Sequence, residues 1–131
     1  MKVGKISQAL FLSIAMFCSY ANTSANDSLL AENVADSYLR ALTVGNIENA
    51  LSFLDDSFLQ ERRTLLENPV YAQQLIDTYN GAFYEIIDSQ FTISGNVLVN
   101  SKITLPNNDE VFVQFVMKPT SPDGFRIVSE N

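Results

Sequence analysis

Two periodicities divide the chain. From about Leu29 to Val44, apolar side chains fall at Ala31, Val34, Ala35, Tyr38 and Leu42. Steps of three and four residues place them on one face of a helix. Asp27 or Ser28 stands where a cap would start that helix, and Gly45 where a left-handed residue would stop it. Asn46 then opens a short helix with Ile47, Ala50, Leu51 and Leu54 at the same spacing. Asp55-Asp56-Ser57 closes it and can cap a third helix, whose buried side is expected to be Phe58, Leu59, Leu65 and Leu66. Asn68-Pro69 ends that helix and starts a fourth, with Pro at the first helical position. Its stripe is Ala72, Leu75, Ile76 and Tyr79, and Asn80-Gly81 ends it.

After Gly81 the period becomes two. Phe83–Ser94 is rich in β-branched and aromatic residues, and Gly95-Asn96 is a two-residue hairpin signal. Val97, Val99, Ser101, Ile103 and Leu105 alternate with more polar neighbours, and Pro106–Asp109 turns the chain. In the third strand Val111, Val113, Phe115 and Met117 line one side, with Phe112 and Val116 on the other. Apolar residues on both sides predict a central strand covered on both faces. Pro119–Gly124 is read as a turn, and Phe125, Ile127 and Ser129 form a fourth strand. Helices grouped before an antiparallel four-stranded meander predict an α+β fold.

Residues 1–25 read as an address rather than as fold. Lys2 and Lys5 precede the ten-residue uncharged run Ala9–Cys18. That run suits the roughly 7–15-residue core of a secretory signal and is shorter than the ~20 residues of a membrane span. Cleavage is expected after Ala25, with Ala21 second, which predicts a periplasmic or secreted protein. Cys18 also admits a lipid anchor, but bulky Phe17 before it fits that signal poorly. Removing 25 of 131 residues leaves a single domain, 26–131, of 106 residues. Lys2 and Lys5 go with them, so the net charge moves from −7 to −9, and the only cysteine is lost.

Composition then removes chemistry. The chain has no His, which excludes a His base, a Ser-His-Asp or Cys-His system and a His metal ligand. One Cys excludes an intrachain disulfide framework and a thiolate zinc cage. The acidic balance argues against nucleic acid as a partner. No catalytic residue, metal site or cofactor is assigned.

Two stretches together resemble the NTF2-like superfamily. One is Tyr38–Leu51, an aromatic-bearing helix, a Gly45-Asn46 break and a short helix carrying Ala50-Leu51. The other is the ending Asp123-Gly124-Phe125-Arg126-Ile127-Val128, where Phe125 stands at the place of that family's usual Trp. The resemblance implies N-terminal helices packed on a curled sheet that forms a cone, as in small exported bacterial members of unassigned chemistry. Some members are isomerases, dehydratases or epoxide hydrolases that use Asp, Tyr, Arg or His inside the cone, and many are binding modules. The cystatin-like arrangement of one long helix over a meander is the near alternative, and the extra helices through Tyr79 argue against it.

Individual candidates follow. Asp36 and Arg40 are four apart on one helix and can pair, either as a water-orienting couple or as a surface ion pair. Tyr38, Tyr79 and Tyr84 can offer phenols to a pocket, with Asp88 as a base or as the mark of a strand irregularity. Phe91, Phe112 and Phe115 can line an apolar pocket or fill the core. Asp55-Asp56 is explained by capping, Arg62-Arg63 by a solvated helix face, and Asn26-Asp27-Ser28 is a glycosylation sequon. The expected function is an exported non-catalytic binding or interaction module that holds a small apolar ligand in the cone or pairs through the sheet as a homodimer. The alternative is a histidine-free acid–base enzyme using Asp, Tyr and Arg.

Overall fold

Each helix boundary has a local cause. The computed structural model describes residues 26–120 and 124–131. The predicted leader, Cys18 and both cleavage points lie outside the described residues. Helix α1 covers residues 26–43. Asp27 and Ser28 are already helical, so neither is the cap that the sequence suggests. Gly45 takes φ +79°, and its N–H bonds the Leu42 carbonyl, which stops α1. Helix α2 is Ile47–Leu51, where the Asn46 side chain accepts from the Asn49 N–H. Helix α3 is Asp56–Leu66 and begins after Asp55. The Asp55 carboxylate makes no bond to the helix backbone; it accepts instead from the Ser57 hydroxyl at 3.5 Å. Helix α4 is Pro69–Tyr79, with Asn68 capping the Val70 N–H.

The second half is one antiparallel sheet in chain order: β1 Phe83–Phe91, β2 Val97–Thr104, β3 Glu110–Thr120 and β4 Gly124–Glu130. Among the described residues the architecture is α+β, four helices and four strands. β1 stops at Phe91 rather than Ser94, and the hairpin loop is residues 92–96, longer than the Gly95-Asn96 signal implies. The Thr92 hydroxyl accepts the Asn96 N–H, and its own N–H reaches the Asn96 carbonyl, so the turn closes from Thr92. β3 runs on through Pro119, which pairs with Phe125. A bulge falls between Ile86 and Asp88, the irregularity foreshadowed at Asp88.

The core lies between α1 and one face of the sheet, called the inner face below. Val97, Val99, Ile103, Phe115, Met117 and Ile127 point inward and are almost wholly buried, as are Ala31, Ala35 and Leu39 of α1. Ser101 is the polar residue among them, and its hydroxyl is satisfied by the Val113 carbonyl. The segment after α2 pairs with the free edge of β4: Ile127 donates to Phe53, and Asp55 donates to Ile127. That buries Leu54.

Helices α3 and α4 are held more loosely. α3 buries Phe58 alone, α4 buries no residue, and Leu65, expected inside, is exposed. β3 is central in strand order, but among the described residues only one of its faces is covered. Its inner residues are packed, while Phe112 on the outer face stands 65% exposed. The apolar character of both faces therefore marks an open surface, not a second layer.

Candidate functional site

A polar cluster forms where four elements converge on the end of β4. Tyr38 lies on the stripe of α1 that faces the sheet, with its ring edge-on to Phe115 at 5.6 Å between centroids. Its hydroxyl donates to Glu130 Oε2 at 2.7 Å. Arg62 of α3 donates to the same oxygen at 3.3 Å and, through its other terminal nitrogen, to the Tyr71 hydroxyl of α4 at 3.0 Å. The guanidinium carbon sits 5.0 Å from the Phe58 ring centroid, in cation–π range. The Arg62 and Glu130 side chains are only 23% and 19% exposed, so one carboxylate ties α1, α3, α4 and β4 together largely out of water.

Electrostatics within the cluster follow from burial and one anion. Burial, then the Glu130 charge and the hydrogen bond to it, pushes the Tyr38 phenol far above its ordinary range. Burial and Glu130 raise Tyr79 as well. Desolvation works against the Arg62 charge, but Glu130, Tyr38 and Tyr71 outweigh it, and the pKa is raised. At neutral pH the phenol keeps its proton and the guanidinium its charge. Tyr38 is thus a hydrogen-bond donor here and not a base.

The sequence-derived pocket residues divide. Tyr38, Tyr79 and Phe115 belong to this region. Tyr84 does not: it lies on β1, the sheet edge opposite β4, and flanks α1 from the other side. Its hydroxyl donates to Asp36 Oδ1 at 2.8 Å, and Asp36 also takes Arg40, so the expected ion pair forms with a third member. Burial, then that hydrogen bond, raises the Tyr84 phenol. Phe91 stands part-exposed at the far end of β1, and Phe112 points away from the helices. Asp88 is on the outer face, across the sheet from every tyrosine named. The six residues do not line one pocket.

Arg62-Arg63 corrects an expectation by halves. Arg63 is the solvated residue, half-exposed and paired with Glu48. Arg62 turns inward. Its position was readable, because Phe58, Arg62 and Leu66 are four apart and share the packed face of α3. Glu130 and Tyr71 carried no such mark, since only the tertiary fold brings them to Arg62.

The outer face carries a second arrangement. At the bulge, the Asn100 amide donates to Asp88 Oδ1 at 2.6 Å, and the Gln114 amide donates to Asn100 Oδ1 at 3.0 Å. This ladder crosses β1, β2 and β3. It borders a groove of about 330 Å³ lined in part by Ile87, Phe112 and Asn131. Ile87 is 49% exposed, and Phe83 and Phe112 are more so. One row toward Phe83, Lys102 lies between Glu85 at 3.4 Å and Glu110 at 3.5 Å.

Among the described residues, no group of three or more Asp, Glu, Cys or His is placed to hold a metal ion, and no helix is long and apolar enough to cross a membrane. Compared with known proteins, the chain matches no family model, no curated protein and no solved structure at a significant level.

Proposed function

We propose that this chain is an exported, non-catalytic interaction module that pairs with a second copy of itself through the outer face of its sheet. The observation that carries this is the exposure of Phe112 and Ile87 around the outer groove, beside the Asp88–Asn100–Gln114 ladder. Large apolar side chains clustered on an open face mark interaction surfaces. Amides both donate and accept, so Asn100 and Gln114 can meet their own copies across a two-fold axis.

The other readings have less support. An apolar ligand on the inner face would compete with Phe115, Met117 and Val99, which already pack there with no exposure. Acid–base catalysis needs a free base, and the cluster at Glu130 offers a protonated phenol and a carboxylate already taken by two donors. The order of elements, helices before an antiparallel meander, supports the NTF2-like reading. Export rests on the character of residues 1–25.

Photochemical cross-linking tests the proposal. A benzoylphenylalanine at position 112 in the purified chain is expected to give a cross-linked dimer, whereas one at Val70, equally exposed on α4, gives none. Cross-linking from Val70 but not from position 112 would overturn it.

A further inference from the structure

One end of the molecule gathers exposed apolar side chains that the sheet face does not use. Glu32 of α1 meets Ser89 of β1, and four residues later Asp36 meets Tyr84, so α1 runs antiparallel to β1. Residues 28–30 therefore lie at the end where β1 closes, beside Phe91 and the 92–96 loop. Leu29 is 57% exposed, Leu30 and Phe91 are about 40% exposed, and Ile93 at the loop tip is fully so. An isoleucine that touches nothing stabilises no fold, and here three further apolar residues accompany it.

Two more observations select an occupant. Lys118 and Arg126 are cross-strand partners on the outer face at this same end, both exposed. Among the described residues neither makes a salt bridge, whereas Arg40, Arg62, Arg63 and Lys102 all do. Arg126 is held by the Ser52 carbonyl. The acids that α1 brings to this end are Asp27 and Glu32, the latter already bound by the Ser89 hydroxyl. In addition, residues 1–25 join the domain at Asn26, at this end, and carry the uncharged run Ala9–Cys18.

We propose that this tip is a lipid-docking surface: Ile93, Leu29, Leu30 and Phe91 enter the headgroup region of a bilayer while Lys118 and Arg126 face its phosphates. An apolar protrusion flanked by cations is the arrangement that interfacial binding requires. The proposal is independent of the pairing through the sheet, which uses Phe112.

The absence of tryptophan from the chain supplies the test. In the full-length chain, Ile93→Trp becomes the sole tryptophan at the tip, and Phe112→Trp the sole one on the sheet face. Each is titrated with phosphatidylcholine vesicles, with and without phosphatidylglycerol. The emission of Ile93→Trp is expected to shift to the blue, more strongly with phosphatidylglycerol, and that of Phe112→Trp to stay unchanged. Adding Leu29→Ser and Leu30→Ser to Ile93→Trp should weaken partitioning about tenfold or more, from the lost apolar burial. Lys118→Glu should remove the phosphatidylglycerol enhancement. The proposal is overturned if Ile93→Trp does not respond to either vesicle. It is equally overturned if Phe112→Trp shifts as much, or if Ile93→Trp shifts with protein concentration alone, which would assign the tip to a second copy. A failure of dimer cross-linking from position 112 leaves these outcomes readable.

Discussion

Arg62→Ala removes a cation that ties the α3–α4 hairpin to the sheet, and its cost can be worked from the contacts. An exposed ion pair contributes about 0–1 kcal/mol, and breaking a fully buried one costs about 3–5 kcal/mol. With side chains roughly four-fifths buried, the Arg62–Glu130 pair falls between, at about 2 kcal/mol. The hydrogen bond to Tyr71 and the stacking over Phe58 together add about 1 kcal/mol. Phe58 and the partly buried Leu59, Leu66, Leu75 and Tyr79 still hold the hairpin to the core, so the loss weakens it without detaching it. We therefore expect about 2–3 kcal/mol of destabilisation, read by urea unfolding followed by circular dichroism, and a melting temperature lower by about 10–15 °C for a domain of this size. Glu130→Gln should cost less, since it still accepts from Tyr38. A double-mutant cycle between the two positions should give a coupling of about 1 kcal/mol or more. A loss below about 0.5 kcal/mol for Arg62→Ala, with no coupling, would refute the view that this pair pins the hairpin.

Three further outcomes follow from the same contacts. Tyr38 has a phenol pKa raised above that of the unfolded chain, so its contribution is full below about pH 10 and is lost as pH rises above that, where the unfolded state releases its proton first; Tyr38→Phe should cost about 1 kcal/mol at neutral pH and flatten the alkaline decline in stability measured by chemical unfolding. Phe115→Ala, at the centre of the inner face, should cost about 3–5 kcal/mol in the same assay. Gly45→Ala meets only ordinary contacts with Asn80 and Ile76, so its cost of about 1–2 kcal/mol should come from the positive φ alone, and Gly45→Asn should recover part of it in thermal melts.

Periodicity in the chain carried most of the fold, and the departures have particular causes. The helix stops at Gly45 and Asn68-Pro69, and the strand alternation after Ala82, are local effects that adjacent residues determine. The hairpin after Phe91 departs from the Gly-Asn signal because Thr92 closes it with a side-chain hydrogen bond. The exposure of Phe112 leaves no mark in the alternation, which tells how many faces of a strand are apolar and not whether anything covers them. The candidate site was less legible still. Tyr38 could be placed on an apolar stripe, but its partner Glu130 is 92 positions away, and Arg62 was grouped with its solvated neighbour. The Asp88–Asn100–Gln114 ladder depends on strand register and on a bulge, neither of which leaves a pattern in a single sequence.

Sedimentation equilibrium tests the central claim most directly, by comparing the wild-type chain with Phe112→Ser and with Val70→Ser as a control of similar exposure. Pairing through the outer face predicts a wild-type dimer, a dissociation constant raised about tenfold or more by Phe112→Ser, and no change for Val70→Ser. A wild-type monomer at every concentration, or a dimer that loses nothing when Phe112 is replaced, would contradict the account.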